Sequence, residues 1–505
     1  MSYLIDTTQY GRTTVPALRE QRDNSKEPGE NTLDTSGAWT RSQTDWSYGA
    51  GQTHFDLDDS DRRRFDTSSG IDPWTKGQIT LLPITEQKKS AASTNQKVRR
   101  VSTYLYFIDA ETVCFTADPT GSSPTWTDFT ARAGYSVTDI DSDGTYIYLA
   151  FGSGAAIARS TINTSSIDGA WPSSGTQAAD IISVASGRLI GALGANIFEI
   201  GANGAKLGSS LDYTPALAGT TWVDVTGGPS GIYAAANTDN TGTIYHIDVS
   251  TTDGTLQTPI ISGELPQGEE INDIKSYGGI LLIATSVGLR TALIDTGSNA
   301  VTIGPVIEDG GEAFSLDVDS KFVWWGGSSG QLYRADLTKF TETLVPAWAS
   351  DIISVAGSAS TVQSIARVGS KTYFADKGNG CYGESGTGVK VTTGTLTIGE
   401  VSWSTVAPKL LRNVTVRQDR SQYTFGDTDY NAAATDYRDE SLEYRGNPTS
   451  TLLGSLSFAA TNDNNATSSL SLTPNVAKNF SFVSESSVSY KFVITLGRHT
   501  DTTSA

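Results

Sequence analysis

A single pattern recurs through the middle of this chain. A β-rich run enters a tight polar turn and leaves as an aliphatic or aromatic strand, as in V-T-D-I-D-S-D-G-T-Y-I-Y-L-A from Val137 to Ala150, I-N-D-I-K-S-Y-G-G-I-L-L-I-A from Ile271 to Ala284, and F-S-L-D-V-D-S-K-F-V-W-W-G from Phe314 to Gly326. With Thr138, Ile182, Trp222, Asn272, Phe314 and Gln363 as equivalent anchors, the intervals are 44, 40, 50, 42 and 49 residues, and a further unit beginning at Val98 lies 40 residues before Thr138. A period of about 40 to 50 residues with several short strands per unit is the mark of a β-propeller, whose blades bury their faces only against one another. The expectation is therefore seven blades. Alternating apolar positions supply the strands, and Asp-Gly, Gly-Gly and Ser-Gly pairs supply the reversals. No WD or kelch signature is present, and Ile79–Ile84 is the candidate for the strand that closes the ring.

Composition agrees with an all-β chain. There are 51 Gly and one Met among 505 residues, and no long amphipathic Leu/Ala/Glu/Lys run. The formal charge of −19 argues against nucleic acid as a partner, because phosphate binding needs clustered Lys and Arg. The one basic cluster, Arg62 to Arg64, sits among Asp58, Asp59, Asp61 and Asp66 and reads as a salt-bridged or solvated patch. No run of about 18 apolar residues is present, so membrane insertion is not expected. The opening residues lack a basic stretch followed by an apolar one, so release of a particle by lysis, rather than a signal peptide, is the expected route to the outside. Cys114 and Cys381 fall in the first and last proposed blades, which are neighbours in a closed ring, and each reads more readily as a buried apolar residue than as half of a disulfide.

Residues 1–94 read as an extended N-terminal docking arm. From Thr8 to Thr53 they are polar and aperiodic, while Trp46, Tyr48, Phe55, Phe65 and Trp74 are bulky anchors suited to docking on a partner or on the chain's own propeller. Residues 95–392 hold the propeller. From 393 to 505 the strands continue without the blade period, at Lys409–Arg417, Leu452–Ala459, Ser468–Leu472 and Tyr490–Leu496, which suits a β-sandwich-like domain. The chain stops nine residues after Leu496, so it reads either as complete or as the front of a longer component.

The arm also carries a resemblance. D-W-S-Y-G-A-G-Q from Asp45 to Gln52, R-F-D from Arg64 to Asp66, S-S-G-I-D-P-W from Ser68 to Trp74, and G-Q-I-T-L-L from Gly77 to Leu82 resemble the opening of minor tail proteins of long-tailed actinobacteriophages. In that family a D-W-S-x-G-A-G-Q element, an R-F segment and an S-x-G-I-D-x-W element precede a propeller-like region. The strand pattern of Val401–Ser404 and Lys409–Arg417 resembles the start of the family's C-terminal sandwich. The resemblance implies a virion protein at the tail tip, assembled in the host cytoplasm. It further implies tail-tip proteins as partners, a homotrimer or multiple copies on the tail, contact with the host surface, and no shared catalytic residues.

Three chemical readings compete with structural ones. Asp139, Asp141 and Asp143 match the first half of a calcium loop, but Ile147 and Ala150 stand where its second half needs oxygen ligands, so a hairpin turn is preferred and no metal or other cofactor is expected. A glycosidase would need two carboxylates across a cleft, which spacing alone cannot identify. Of the histidines His54, His246 and His499, only His246 could serve a nucleophile, and its strand position favours packing. The alternative to a structural role is a carbohydrate-active or carbohydrate-binding propeller. Trp126, Trp171, Trp324 and Trp325 are the possible contacts to cell-wall glycan, although adjacent Trp324 and Trp325 must face opposite sides of one sheet.

Overall fold

The computed structural model describes residues 2–5, 41–55, 63–173, 177–307, 311–328, 330–341, 345–353, 361–386, 389–402, 406, 408–411, 413–417, 456–471, 477–479 and 486–498. The fold is all-β, and the described residues contain no helix. Seven small antiparallel sheets follow one another along the chain. The first runs Gln96–Val101, Tyr104–Asp109, Thr112–Thr116, Thr127–Thr130. The second has three strands, Asp139–Ser142, Tyr146–Ala150 and Ala158–Thr161. The third, fourth, fifth and sixth sheets begin at Ile181, Thr221, Ile271 and Ser315 and have four strands each.

The last of the seven is made from both ends of this region. Val362–Val368, Lys371–Asp376 and Gly380–Glu384 are completed by Thr85–Ser90, paired antiparallel with Gly380–Glu384. The closing strand therefore lies just beyond the expected Ile79–Ile84. The residues of Ile79–Ile84 are used elsewhere, Ile79 in the core of the terminal sheets and Pro83 in a bridge to Lys390, whereas Thr85 and Lys88 are the buried positions of the outer strand. Lys88 is accommodated there by Glu86 at 2.9 Å and the Gly121 carbonyl at 2.7 Å.

The first strand of each sheet packs beside the first strand of the next, and Val362–Val368 of the seventh packs beside Gln96–Val101 of the first. This arrangement explains why second strands read as unbroken apolar runs rather than as alternations. In Ile280–Thr285, Leu281 and Ile283 join a cluster with Tyr233, Ala235 and Ile244 of the fourth sheet, while Leu282 and Ala284 join one with Leu316, Val323 and Trp325 of the sixth. Both faces are covered, and each buried Leu or Ile contributes roughly 1.5–3 kcal/mol. Trp324 and Trp325 obey the same rule, one packing toward the seventh sheet and the other toward the fifth.

Two further sheets join the termini. Thr393–Val401, Tyr490–Gly497, Leu456–Asn462 and Thr467–Ser471 form one sheet, to which His54–Phe55 adds in parallel and Thr67–Ser69 antiparallel. Ser2–Ile5 lies between Arg41–Gln43 and Asn413–Arg417 in the other, and Ala477–Asn479 pairs with Asn413–Arg417. Trp46, Phe55, Phe65 and Trp74 share one core with Ala347, Leu396, Phe458 and Phe492. Four of the five expected arm anchors are thus buried inside this chain, and the docking they perform is intramolecular. Tyr48, half-buried, lies under the Arg63 guanidinium at 3.4 Å.

The local sequence explains that docking. Asp45 accepts the Ser47 amide at 3.0 Å and turns the chain. Gly49, at φ +81°, lies so close to the strand Pro346–Ile353 that a Cβ would sit 2.4 Å from the Trp348 carbonyl oxygen. The Ala50 amide donates to that same oxygen at 2.7 Å, and Arg64 reaches back to the Ala50 carbonyl at 2.6 Å. Only glycine meets both demands at position 49.

Candidate functional site

Polar side chains on the first strands join the sheets around the cycle. Asp139 accepts the Ile182 amide at 3.0 Å and Asp141 the Val184 amide at 2.7 Å, from the second sheet to the third. Ser183 donates to the Val225 carbonyl at 2.7 Å. Asp224 accepts the Ile274 amide at 3.4 Å, Asp273 the Leu316 amide at 2.9 Å, and Asp317 the Arg367 amide at 2.8 Å. Ser364 accepts the Val98 amide at 2.6 Å and returns to the first sheet. Lys97 and Arg99 then reach Asp139 and Asp141 of the second sheet at 2.8 and 2.6 Å. Strand-edge amides that no ladder uses are thereby satisfied, which is the requirement for burying them.

A cavity of about 400 Å³ opens onto this belt, lined by Arg99 and Ser102 of the first sheet region, Asp141, Lys275, Asp317 and Ile365. Its walls come from five different sheets, so the first strands face a common space. The Arg99 side chain is 44% accessible and lines this cavity. Asp141 is the main cause that strengthens its hold on its proton, with Asp224 and Asp139 adding to it. Lys275 pairs with Asp317 in the same belt. Asp224 and Asp273 are held protonated to higher pH, first by burial and, for Asp224, next by the charge of Asp273.

A second cavity, about 480 Å³, lies where residues 72–83 cross the sixth and seventh sheets. Arg334 reaches Asp72 at 3.0 Å and Asp351 at 3.2 Å, Arg367 reaches Glu384 at 3.4 Å, and the Trp324 indole donates to Asp351 at 2.8 Å. Burial, and then the nearby Asp351, raises the Glu384 carboxyl above its usual range. The network fastens the crossing segment to both sheets.

The residues singled out in the sequence are dispersed. Asp139 and Asp141 belong to the belt, while Asp143 caps the hairpin by accepting the Thr145 and Tyr146 amides at 2.8 and 2.7 Å. Among the described residues no three acidic, His or Cys side chains are grouped to hold a metal ion. Trp171, Trp324 and Trp325 are buried, and Trp171 donates to the Ala202 carbonyl at 2.9 Å. Trp126 is half-buried and donates to the Lys88 carbonyl at 2.9 Å. Trp171, Trp324 and Trp325 thus pack within the sheets, and Trp126 is the one of the four that keeps a partly exposed ring. His246 is fully buried against Tyr233, His54 lies 3.3 Å from Glu400, and His499 lies outside the described residues. Sequence reasoning passed over Lys97, Arg99, Asp224, Asp273, Lys275 and Asp317. Their signal was an acidic residue one to three positions after the repeat anchor at Thr138, Trp222, Asn272 and Phe314.

No protein-family model matches the sequence, and no curated protein matches it. Solved structures do align with it. The computationally designed Ika8 protein aligns at 9% identity over 59% of this chain and 99% of its own, with a TM-score of 0.39. U3-55K aligns at 10% identity over 60% and 99%, with a TM-score of 0.45. The WD40 beta propeller domain of Doa1 aligns at 10% identity over 59% and 96%, with a TM-score of 0.42.

Proposed function

We propose that the chain is a structural protein of a phage virion, a minor tail protein at the tail tip that contributes to assembly and to recognition of the host surface. On this reading the seven sheets are the blades of one β-propeller, and the two terminal sheets are a β-sandwich-like module. The observation that carries it is the position of the resemblance. The D-W-S-Y-G-A-G-Q, R-F-D and S-S-G-I-D-P-W residues form the interlock between the terminal sheets and the sixth sheet, so the motif describes how the two parts of the chain are joined. A rigid ring presenting loops from every blade suits recognition by many weak contacts, and several copies on one tip raise avidity.

The chemistry of the belt favours binding over catalysis. Its carboxylates accept backbone amides or pair with Lys97, Arg99 and Lys275, which commits them to holding sheets together. Cryo-electron microscopy of the particle that carries this chain is the test. The expected result is the chain at the tail tip in several copies, with the interlock of residues 45–55 and 63–74 as described and its outer loops free. A particle that lacks the chain, or carries it away from the tail, overturns the proposal.

A further inference from the structure

The cavity where residues 72–83 cross the sixth and seventh sheets carries more positive charge than its ion pairs use. Four cations line it: Arg334 of the sixth sheet, Arg367 and Lys371 of the seventh, and Lys390 just beyond. The carboxyls in the lining number three, Asp72, Asp351 and Glu384. Arg334 is matched by Asp72 and Asp351, and Arg367 has Glu384 at 3.4 Å and Asp319 of the sixth sheet at 4.0 Å. Lys371 donates to the Ser385 carbonyl at 2.8 Å, and among the described residues neither it nor Lys390 has a carboxylate within ion-pair distance. Lys390 is exposed, but its backbone bridges to Pro83 and its carbonyl accepts the Arg498 guanidinium at 2.8 Å, so its stem leaves from a fixed point beside the cavity.

Arg367 is incompletely compensated as well. Its guanidinium lies over the Trp324 ring at 4.1 Å, and its Nε is buried with no hydrogen-bond partner among the described residues. Burial lowers it below the usual arginine range, which Glu384, Asp351 and Asp319 do not make good. Glu384 is a weak counter-charge because burial holds it toward its neutral form. In a chain of net charge −19, this is a place where an added negative charge is attracted, and partial burial strengthens that attraction. We propose that the cavity binds a small organic oxyanion, a carboxylate or phosphate carried on a hydroxylated body, with Lys371, Lys390 and Arg367 as its cationic partners. A volume of about 480 Å³ is that of a small-molecule site and exceeds what a bare oxyanion fills. Asp72, Glu384 and Ser370 in the same lining supply acceptors for hydroxyls on the remainder of the ligand. The proposal goes beyond the virion reading and stands whether or not the chain belongs to a particle.

Calorimetric titration of the full chain with glucose 6-phosphate, glucuronate and glucose tests it. A charged probe is expected to bind and glucose is not; binding of one charged probe alone names the oxyanion and supports the site. Lys390→Gln, at an exposed position, is expected to weaken binding about fivefold. Lys371→Gln, nearer the buried guanidinium, should weaken it about tenfold. Lys377→Gln is the control for surface charge: it is exposed past the other end of the strand Lys371–Asp376 and leaves binding unchanged. Heat from neither charged probe, an equal response to glucose, or equal weakening by Lys377→Gln overturns the proposal. Should Lys371→Gln fail to fold, the exposed Lys390→Gln carries the test by itself.

Discussion

The backbone amide of Val98 donates to the Ser364 hydroxyl at 2.6 Å, joining the first sheet to the seventh across 266 residues of sequence. Beside it the Gln96 amide donates to the Gln363 side chain at 3.2 Å. The junction between sheets from opposite ends of the repeat is thus held by two adjacent side chains of one strand. Ser364→Ala removes the acceptor and leaves the Val98 amide without it, which is expected to cost about 1–2 kcal/mol in denaturant unfolding. Ser364→Thr keeps the hydroxyl and should lose less.

The closing strand makes a second prediction. The Lys88 side chain is 0% accessible and its ammonium is held by Glu86 and the Gly121 carbonyl. Lys88→Ala leaves Glu86 with its partner removed and is expected to destabilise the chain by about 3 kcal/mol. Limited proteolysis should then cut first near residues 85–90, because the strand is tethered to the seventh sheet by one edge only. Cleavage elsewhere at an unchanged rate would contradict this.

Gly49→Ala tests the interlock of the termini. The new Cβ would meet the Trp348 carbonyl oxygen at 2.4 Å in a backbone conformation of φ +81° that L residues rarely adopt. The expected loss is about 2–4 kcal/mol. It should appear in the terminal sheets before the seven-sheet region, as earlier hydrogen exchange in Thr393–Val401 than in Ile280–Thr285.

Acid stability has an assignable group. Burial opposes ionisation of Asp336, but Lys321 at 2.8 Å and the Thr338 amide and hydroxyl outweigh it and hold the carboxyl below its ordinary value. A lowered folded value means that its stabilisation is complete above the ordinary carboxylate range, about pH 4, and disappears as pH falls through the lowered one. Asp336→Asn should therefore destabilise the chain at neutral pH and flatten its Tm profile below about pH 4. An acid limb as steep as that of the unmodified chain would remove Asp336 from this role.

The two thiols give the last prediction. Cys114 and Cys381 are free, buried and in one apolar cluster, and burial raises the Cys114 thiol to about 12 and Cys381 higher still. A thiol-specific reagent at neutral pH is expected to titrate neither in the folded chain and both after denaturation. Reaction of either in the folded state would show an access route to the junction of the first and seventh sheets.

What the amino-acid order determined by itself is the all-β class, the repeat near 40 to 50 residues and the turns. Each rests on local physics: alternation along a strand, and Gly, Asp or Asn where a hairpin reverses. It also required Trp324 and Trp325 to face opposite ways, which they do. Tertiary structure decided what local patterns cannot hold. The arm anchors read as docking on a partner or on the chain's own propeller, because neighbours such as Ala50, Ile71 and Ile79 are too few to enclose them; the rest of their core, Phe458 and Phe492 included, lies some 400 residues on. Thr85–Ser90 did not read as a strand, because Glu86, Lys88 and Lys89 mask it, and only its pairing with Gly380–Glu384 makes it one. Asp224 and Asp273 were two acids among 55 until packing buried both and set them to accept amides of the neighbouring sheets. Charge in a sequence is a list, whereas the free energy of a charge depends on which groups fold against it.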